Sequence, residues 1–321
     1  MALMSMAVVL VAAAALLGWW WPRWMVRIQP RIDARWVLVA WPAAQAMFTA
    51  LWVAAVSVLV VPNHFGVHKL SAVASCLRVL SHGAPAQVET VAGAAVLAST
   101  VAAAVWVVSL VARAAVAMGR AREHYLQALR LVGQRCDRFP DVWWLSDQRP
   151  MAFCLPGRNA GIAATTGLQD VLTGAELNAV MAHERAHRRQ RHHAIVLLAG
   201  VLGRALPFIP LFARGADEVA TLVEQAADAR AAEQVGTRTV CSALGTLARS
   251  AGSSDFPAGA LSISDSASVT PRLHRLYDGR RCVSRGHHAM AAATVAGVVV
   301  LPTVVTATGA VSALVAVACL L

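Results

Sequence analysis

The sequence is poor in charged residues, which make up 14% of its 321 positions, whereas 58% are hydrophobic and the mean hydropathy is +0.57. Soluble domains carry about 25% charged residues, so this composition excludes a chain that is soluble throughout. Lysine is nearly absent, since Lys69 stands beside 27 arginines. The six cysteines lack the close spacing of a disulfide framework or a cysteine-rich zinc site. The composition therefore predicts several membrane spans.

Four long apolar stretches without charge predict transmembrane helices, because each contains enough residues to cross about 30 Å of hydrocarbon. The first stretch ends in Trp19, Trp20 and Trp21, which suits an aromatic belt at a membrane surface. A cleaved signal peptide is the alternative, but a basic start and a small-residue cleavage site are both missing before the tryptophans. The four stretches are residues 2–21, 36–61, 90–112 and 289–321.

The distribution of arginine predicts the orientation of these spans. Residues 22–35 carry four arginines against one aspartate, and arginines also follow the third span, whereas residues 62–89 carry only Lys69 and Arg78 as positive charges. Because basic residues mark cytoplasmic segments, we expect a multi-pass protein of the bacterial inner membrane with both termini outside. The pI near 10.8 suits membrane orientation, anionic lipid or nucleic acid. We expect contact with membrane lipid and no direct nucleic-acid binding.

Three domains follow from this pattern: a three-helix transmembrane region at 1–118, a cytoplasmic domain at 119–288 and a C-terminal transmembrane helix at 289–321. Short strands are predicted at 142–146, 151–155 and 161–165, before the best-marked helix. An amphipathic helix is predicted at 119–135. Residues 194–213 are apolar but are interrupted by an arginine and two prolines, which favours a buried or membrane-surface helix followed by a turn over a further span.

The best-marked helix carries the most informative motif. Thr173 and Glu176 fit a capping box and predict where the helix begins. Because residues four apart lie on one helical face, His183 and His187 could hold one metal ion, with Glu184 beside them. The alternative is a solvated basic helix with two incidental histidines.

A third metal ligand is predicted further along the chain, since catalytic zinc takes three protein ligands. Glu224 lies 37 residues after His187, and Asp228 follows one helical turn later, where it could orient a ligating imidazole. Glu218 and Glu233 are rival ligands that lack such a carboxylate partner. The pairing favours Glu224.

These residues resemble the gluzincin pattern of His-Glu-x-x-His followed by Glu-x-x-x-Asp. The pattern is shared by the HtpX and CAAX-endopeptidase family and by the BlaR/MecR family of membrane metallopeptidases. The resemblance covers roughly residues 140–250 and includes the sequences CLPG, TTGL and LTGAEL upstream of the histidines. It implies a mostly α membrane protein with about four transmembrane helices and a cytoplasmic α+β zinc peptidase domain of the gluzincin type.

The resemblance also implies roles and partners. Zinc would be held by His183, His187 and Glu224, and Glu184 would transfer the proton during hydrolysis. Arg272 or His274, in a segment similar to the end of these peptidase domains, could reach the scissile carbonyl, although a basic membrane-proximal helix is the alternative.

The substrate would be an extended protein segment, for example in a cytoplasmic winged-helix repressor, and the family's membrane dimers imply a homodimer. Antibiotic-sensing BlaR/MecR members carry an extracellular penicillin-binding sensor after the last span, which we do not expect here. Two alternatives remain open. One is an HtpX-like peptidase for quality control or processing of membrane proteins, and the other is a non-catalytic membrane sensor or scaffold.

Overall fold

The computed structural model describes residues 2–60, 86–157, 161–250 and 269–278. Three helices in these residues are long and apolar enough to cross a membrane. Two of them, α1 and α2, pack against each other, whereas the apolar part of α3 is exposed along its length. The predicted fourth span at 289–321 lies outside the described residues, so it and the predicted domain boundaries stay predictions. The three helices are α1 (Ala2–Ile28), α2 (Ala34–Val60) and α3 (Ala86–Val132).

Helix α3 is continuous where the sequence predicted a span and a separate amphipathic helix. Its 47 residues correspond to about 70 Å, roughly twice the thickness of the hydrocarbon core, so one end must emerge from a membrane. The helix has no proline, and Gly119 inside it costs only about 1 kcal/mol relative to alanine. The alanine-rich surroundings offset that cost, and the helix therefore continues to Val132.

A four-stranded sheet follows α3, with strand order β1-β2-β4-β3. Strands β2 and β4 are parallel, while the two outer pairs are antiparallel. The three predicted strands are confirmed as β2, β3 and β4, whereas β1 was missed because its three residues are exposed and show no apolar pattern. The strands are β1 (Gln134–Cys136), β2 (Phe139–Leu145), β3 (Ala152–Cys154) and β4 (Ile162–Thr165).

Six further α-helices and a short 3-10 helix at Gln29–Arg31 complete the described residues. The helix with the histidine motif begins at the predicted capping box: the amide of Glu176 donates to Thr173 Oγ1 at 3.3 Å, and the amide of Thr173 donates to Glu176 Oε2 at 2.9 Å. Its start is therefore fixed by local sequence. The helices are α4 (Gly167–Val171), α5 (Gly174–Arg189), α6 (His192–Ala205), α7 (Pro210–Val235), α8 (Thr237–Ser250) and α9 (Val269–Asp278).

One ion-pair cluster fixes the rotation of α5 against the sheet. Arg185 and Arg188 both donate to the carboxylate of Asp141 on β2, at distances between 2.6 and 2.9 Å. Hydrogen bonds from Arg185 hold the pKa of Asp141 at about 2, so the carboxylate stays ionised at all physiological pH values. With its basic face held by β2, the opposite face of α5 is turned into the protein.

Helices α6 and α7 form a hairpin that packs against the first two spans. The prediction of an interrupted helix at 194–213 is confirmed, because α6 ends at Ala205 and α7 begins at Pro210. The indole Nε1 of Trp41 in α2 donates to the backbone oxygen of Leu211 at 3.1 Å, and the amide of Gln45 approaches the same oxygen at 3.4 Å. A polar side chain inside a span thus binds the hairpin and does not face lipid.

The depth of the hairpin follows from its contacts along α2. Phe212, near the tip of the hairpin, packs edge-to-face on Phe48, with ring centroids 5.4 Å apart. Phe48 lies about 20 Å along the axis of α2 from its first residue, so the tip is the deepest part of the hairpin. Further along α7, Leu222 and Val223 share a buried apolar cluster with Ala34 at the start of α2. The second half of α7 reaches the level where the span begins, because Glu233 pairs with Arg35, the second residue of α2, at 2.8 Å.

Candidate metal centre

The three predicted ligands converge at one point between α5 and α7. The Nε2 atoms of His183 and His187 are 2.9 Å apart, and each lies 3.4 Å from one carboxylate oxygen of Glu224. Both histidines are buried, and the side chain of Glu224 is 13% exposed. The alternative of a solvated helix with incidental histidines is therefore wrong, because the four-residue spacing faces the protein interior.

The donor set fits zinc. Two imidazole nitrogens and one carboxylate oxygen are the ligands of many catalytic zinc sites, which keep a fourth position open. Ligand atoms bound at about 2.1 Å in a tetrahedral arrangement are roughly 3.4 Å apart, close to the observed separations. Within the described ranges, these are the residues grouped closely enough to hold a metal, and the rival ligands Glu218 and Glu233 are not among them. Glu233 instead pairs with Arg35 and Arg230.

Asp228 lies behind His183, as the spacing predicted. Its Oδ1 is 2.9 Å from Nδ1 of His183, and both side chains are almost fully buried. Burial raises the pKa of Asp228, but the guanidinium of Arg272 more than compensates and brings it to about 2. An ionised carboxylate at Nδ1 favours the tautomer of His183 whose Nε2 lone pair points toward Glu224 and His187.

Arg272 makes contacts with the carboxylates of α7 that the sequence did not predict. It donates from Nε and Nη2 to the two oxygens of Asp228, at 2.7 and 2.6 Å, and its Nη1 lies 3.4 Å from Glu224. Its side chain is only 1% exposed, and the predicted contact with the scissile carbonyl stays a prediction. His274 lies on the exposed side of the same helix. Arg272 is a positioning residue for the two carboxylates of α7.

Replacing Arg272 by leucine should weaken zinc binding by about ten- to a hundredfold, because Asp228 would lose the partner that holds it against His183. Zinc affinity measured by competition with a chelator tests this expectation. Arg272→Lys should recover part of the affinity, since it keeps the charge but not the two parallel hydrogen bonds. Unchanged affinity in the leucine variant would assign Arg272 to folding alone.

Glu184 is placed beside the convergent ligands without joining them. Its side chain is fully buried, and neither carboxylate oxygen has a side-chain hydrogen-bond partner within the described ranges. Burial raises the pKa of Glu184 to about 7. A carboxyl group with a pKa near neutrality can both accept and deliver a proton at physiological pH. Such an isolated buried carboxyl group is costly for folding and is characteristic of a functional site.

Sequence reasoning missed a second set of partners, His192 and His193. Nδ1 of His192 lies 3.0 Å from Nδ1 of His187, and its Nε2 lies 3.2 Å from Oε1 of Gln190. Burial lowers the pKa of His192 to about 4, so it is neutral and can accept a hydrogen bond from His187. Helical periodicity could not reveal this contact, because Arg191 adopts a left-handed conformation, with φ of 54°, that redirects the chain.

Cys154, at the end of β3, is buried and lies 2.9 Å from Nε2 of His193 through its Sγ. It is not part of the metal-ligand group, and burial raises the pKa of its thiol well above the usual range. Cys154 is therefore a small buried residue of the sheet.

Comparison with known proteins finds similarities for the central part of the chain. Residues 118–235 match the family model of peptidase family M48. A protease HtpX homolog of Ralstonia nicotianae is 35% identical over 96 residues, which cover 29% of this chain and 33% of that protein. Protease HtpX homolog 2 of Methanosarcina mazei is 42% identical over 73 residues, which cover 22% and 24% of the two chains. No solved structure matches the chain significantly.

The chain thus spans about a third or less of the length of these relatives. The matched region nevertheless contains the three convergent ligands, His183, His187 and Glu224, together with Glu184. Residues 118–235 are thus similar to the zinc metallopeptidases of family M48, and the described residues also contain three helices that are long and apolar enough to cross a membrane.

Proposed function

We propose that this protein is a zinc-dependent endopeptidase of the HtpX type that cleaves membrane proteins close to the membrane surface. The observation that carries the proposal is the contact of α7, the helix of Glu224, with the start of span α2, where Glu233 pairs with Arg35 at 2.8 Å. The metal centre is thereby held at the level where a membrane protein would emerge. The predicted orientation, with the peptidase domain in the cytoplasm and the termini outside the inner membrane, is part of the proposal.

The comparisons favour this function over repressor cleavage. The relatives are HtpX proteases, and nothing in the comparisons supports the BlaR/MecR type. The buried arrangement of His183, Glu184 and Glu224 also favours hydrolysis over a sensor or scaffold, since a scaffold would have no use for an unpaired buried carboxyl group. The homodimer stays a prediction.

The site residues have two roles, zinc binding and proton transfer. We assign His183, His187 and Glu224 to zinc, which when bound polarises a carbonyl and lowers the pKa of water. Glu184 takes the proton of the attacking water and delivers it to the leaving amine, which its near-neutral pKa allows. Asp228 fixes the ring of His183, and His192 fixes that of His187.

The substrate is proposed to bind as an extended segment along β3. This strand is at one end of the sheet and pairs only with β4 within the described residues, so its other edge can accept a strand. Its last residue, Cys154, contacts His193 next to the metal centre. A peptide on β3 would therefore pass the convergent ligands.

A matched pair of substrates tests the proposed function. One carries an unstructured cytoplasmic segment attached to a single span, and the other is the same segment without the span. In vesicles containing the full chain and zinc, the anchored segment should be cleaved at least about tenfold faster, because anchoring raises its effective concentration at the site.

The product should be absent when zinc is removed by a chelator. Equal cleavage of both segments would contradict the assignment to membrane proteins and would favour a soluble substrate such as a repressor.

A further inference from the structure

A basic cavity lies between the start of α2, the end of α5 and the second half of α7. Its volume is about 300 Å³, enough for the headgroup of a phospholipid but small for a folded partner. Almost all of the side chains that line it are long and carry hydrogen-bond donors. They are Arg35, Arg189, Arg230, Gln190 and Gln234, together with Ala186.

The charges of the cavity are only partly compensated. Glu233 lies between two of the arginines, 2.8 Å from Arg35 and 2.5 Å from Arg230, and Asp33 makes a further pair with Arg35. Arg189 is exposed and forms no ion pair within the described residues. The guanidinium of Arg189 therefore stays available, next to those of Arg35 and Arg230, which carboxylates hold in place. A planar guanidinium group can donate two parallel hydrogen bonds to the oxygens of a phosphate group.

The position of the cavity points to lipid as the source of that phosphate. Arg35 is the second residue of α2, whose apolar span begins at Ala34. The connection between the first two spans is held on α9, because Arg275 donates to the backbone oxygens of Gln29 and Ile32. The cavity is thus fixed at the level of the headgroups, where basic pockets beside spans bind anionic lipids.

The same cavity borders the metal centre. Gln190 lines it and directs its amide oxygen to Nε2 of His192, at 3.2 Å, while Nδ1 of His192 lies 3.0 Å from His187. Two hydrogen-bonding steps therefore connect the cavity with a candidate zinc ligand. An anion held by the amide nitrogen of Gln190 would fix that side chain in the orientation that supports His192.

We propose that this cavity binds the phosphate of an anionic phospholipid, with Arg189 as the principal ligand. The binding links the peptidase domain to the charge of the membrane surface and steadies the support of His187. The proposal does not depend on proteolytic activity, because lipid retention is a separate property of the chain.

The test is lipid retention by the purified full chain, in micelles that contain equal amounts of phosphatidylglycerol and phosphatidylcholine. Native mass spectrometry counts the lipids that stay bound. The wild type should retain phosphatidylglycerol in preference to phosphatidylcholine. Arg189→Gln should reduce the retention of phosphatidylglycerol about tenfold, because one charge-assisted contact is lost. Arg189→Lys should keep most of it, since it preserves the charge.

Arg130→Gln is the matched control, because Arg130 is an exposed arginine of α3 that forms no ion pair in the described part of the chain and does not line the cavity. It should behave as the wild type does. Equal retention in Arg189→Gln and the wild type would overturn the proposal, as would equal retention of the two lipids. Displacement of phosphatidylglycerol by inorganic phosphate at the same concentration would overturn the assignment to lipid and leave a soluble anion as the ligand.

Discussion

Replacement of Glu184 by glutamine should lower the rate of peptide hydrolysis by about a hundred- to ten-thousandfold and leave zinc bound. Glutamine has nearly the same shape but cannot accept the proton of the attacking water. The buried carboxylate of Glu184 makes no ion pair with described residues and is not among the convergent ligands, and glutamine keeps an oxygen that can accept from a nearby backbone amide, so the substitution should leave the site intact. The loss should therefore appear in catalysis and not in metal content.

Three measurements on the same preparation separate these effects: cleavage rate, zinc per chain and melting temperature. Glu218→Gln is the matched control, since Glu218 is a partly buried glutamate of α7 outside the metal-ligand group. It should retain wild-type cleavage. If Glu184→Gln cleaved at the wild-type rate, another group would have to be the base. If it lost zinc as well, Glu184 would belong to the metal-binding set.

The second large effect is expected for Glu224→Ala, which should remove nearly all bound zinc. Only two imidazoles would remain of the three-ligand set, too few for a stable catalytic site. The substitution would also remove one partner of Arg272, whose Nη1 lies 3.4 Å from the Glu224 carboxylate. A buried positive charge without that carboxylate would oppose the return of a metal cation. Loss of metal and of cleavage should therefore be nearly complete.

Much of this site could be predicted from the sequence because it is built on helical periodicity. The capping box at Thr173 located the start of α5, and the four-residue spacings placed His183 beside His187 and Glu224 beside Asp228. These relations are local, and each is fixed within one or two turns of a helix.

The parts that were missed depend on long-range packing. Arg272 reaches Asp228 across 44 positions of sequence, and no local pattern indicates that α9 crosses α7. The contact of His192 with His187 depends on the left-handed residue Arg191, which a periodic pattern cannot reveal. The sequence also did not predict how deeply the α6–α7 hairpin lies in the membrane. Composition gives the length of an apolar segment, but it does not show that the hairpin packs on α2 near Trp41.

The central claim is that His183, His187 and Glu224 form one zinc site, and the zinc-to-chain ratio tests it most directly. Elemental analysis of the purified full chain should find about one zinc per chain in the wild type and in Glu218→Ala. It should find almost none in Glu224→Ala, with the helical content of the three proteins unchanged. Zinc retained by Glu224→Ala, or lost equally from Glu218→Ala, would contradict the assignment and place the third ligand elsewhere.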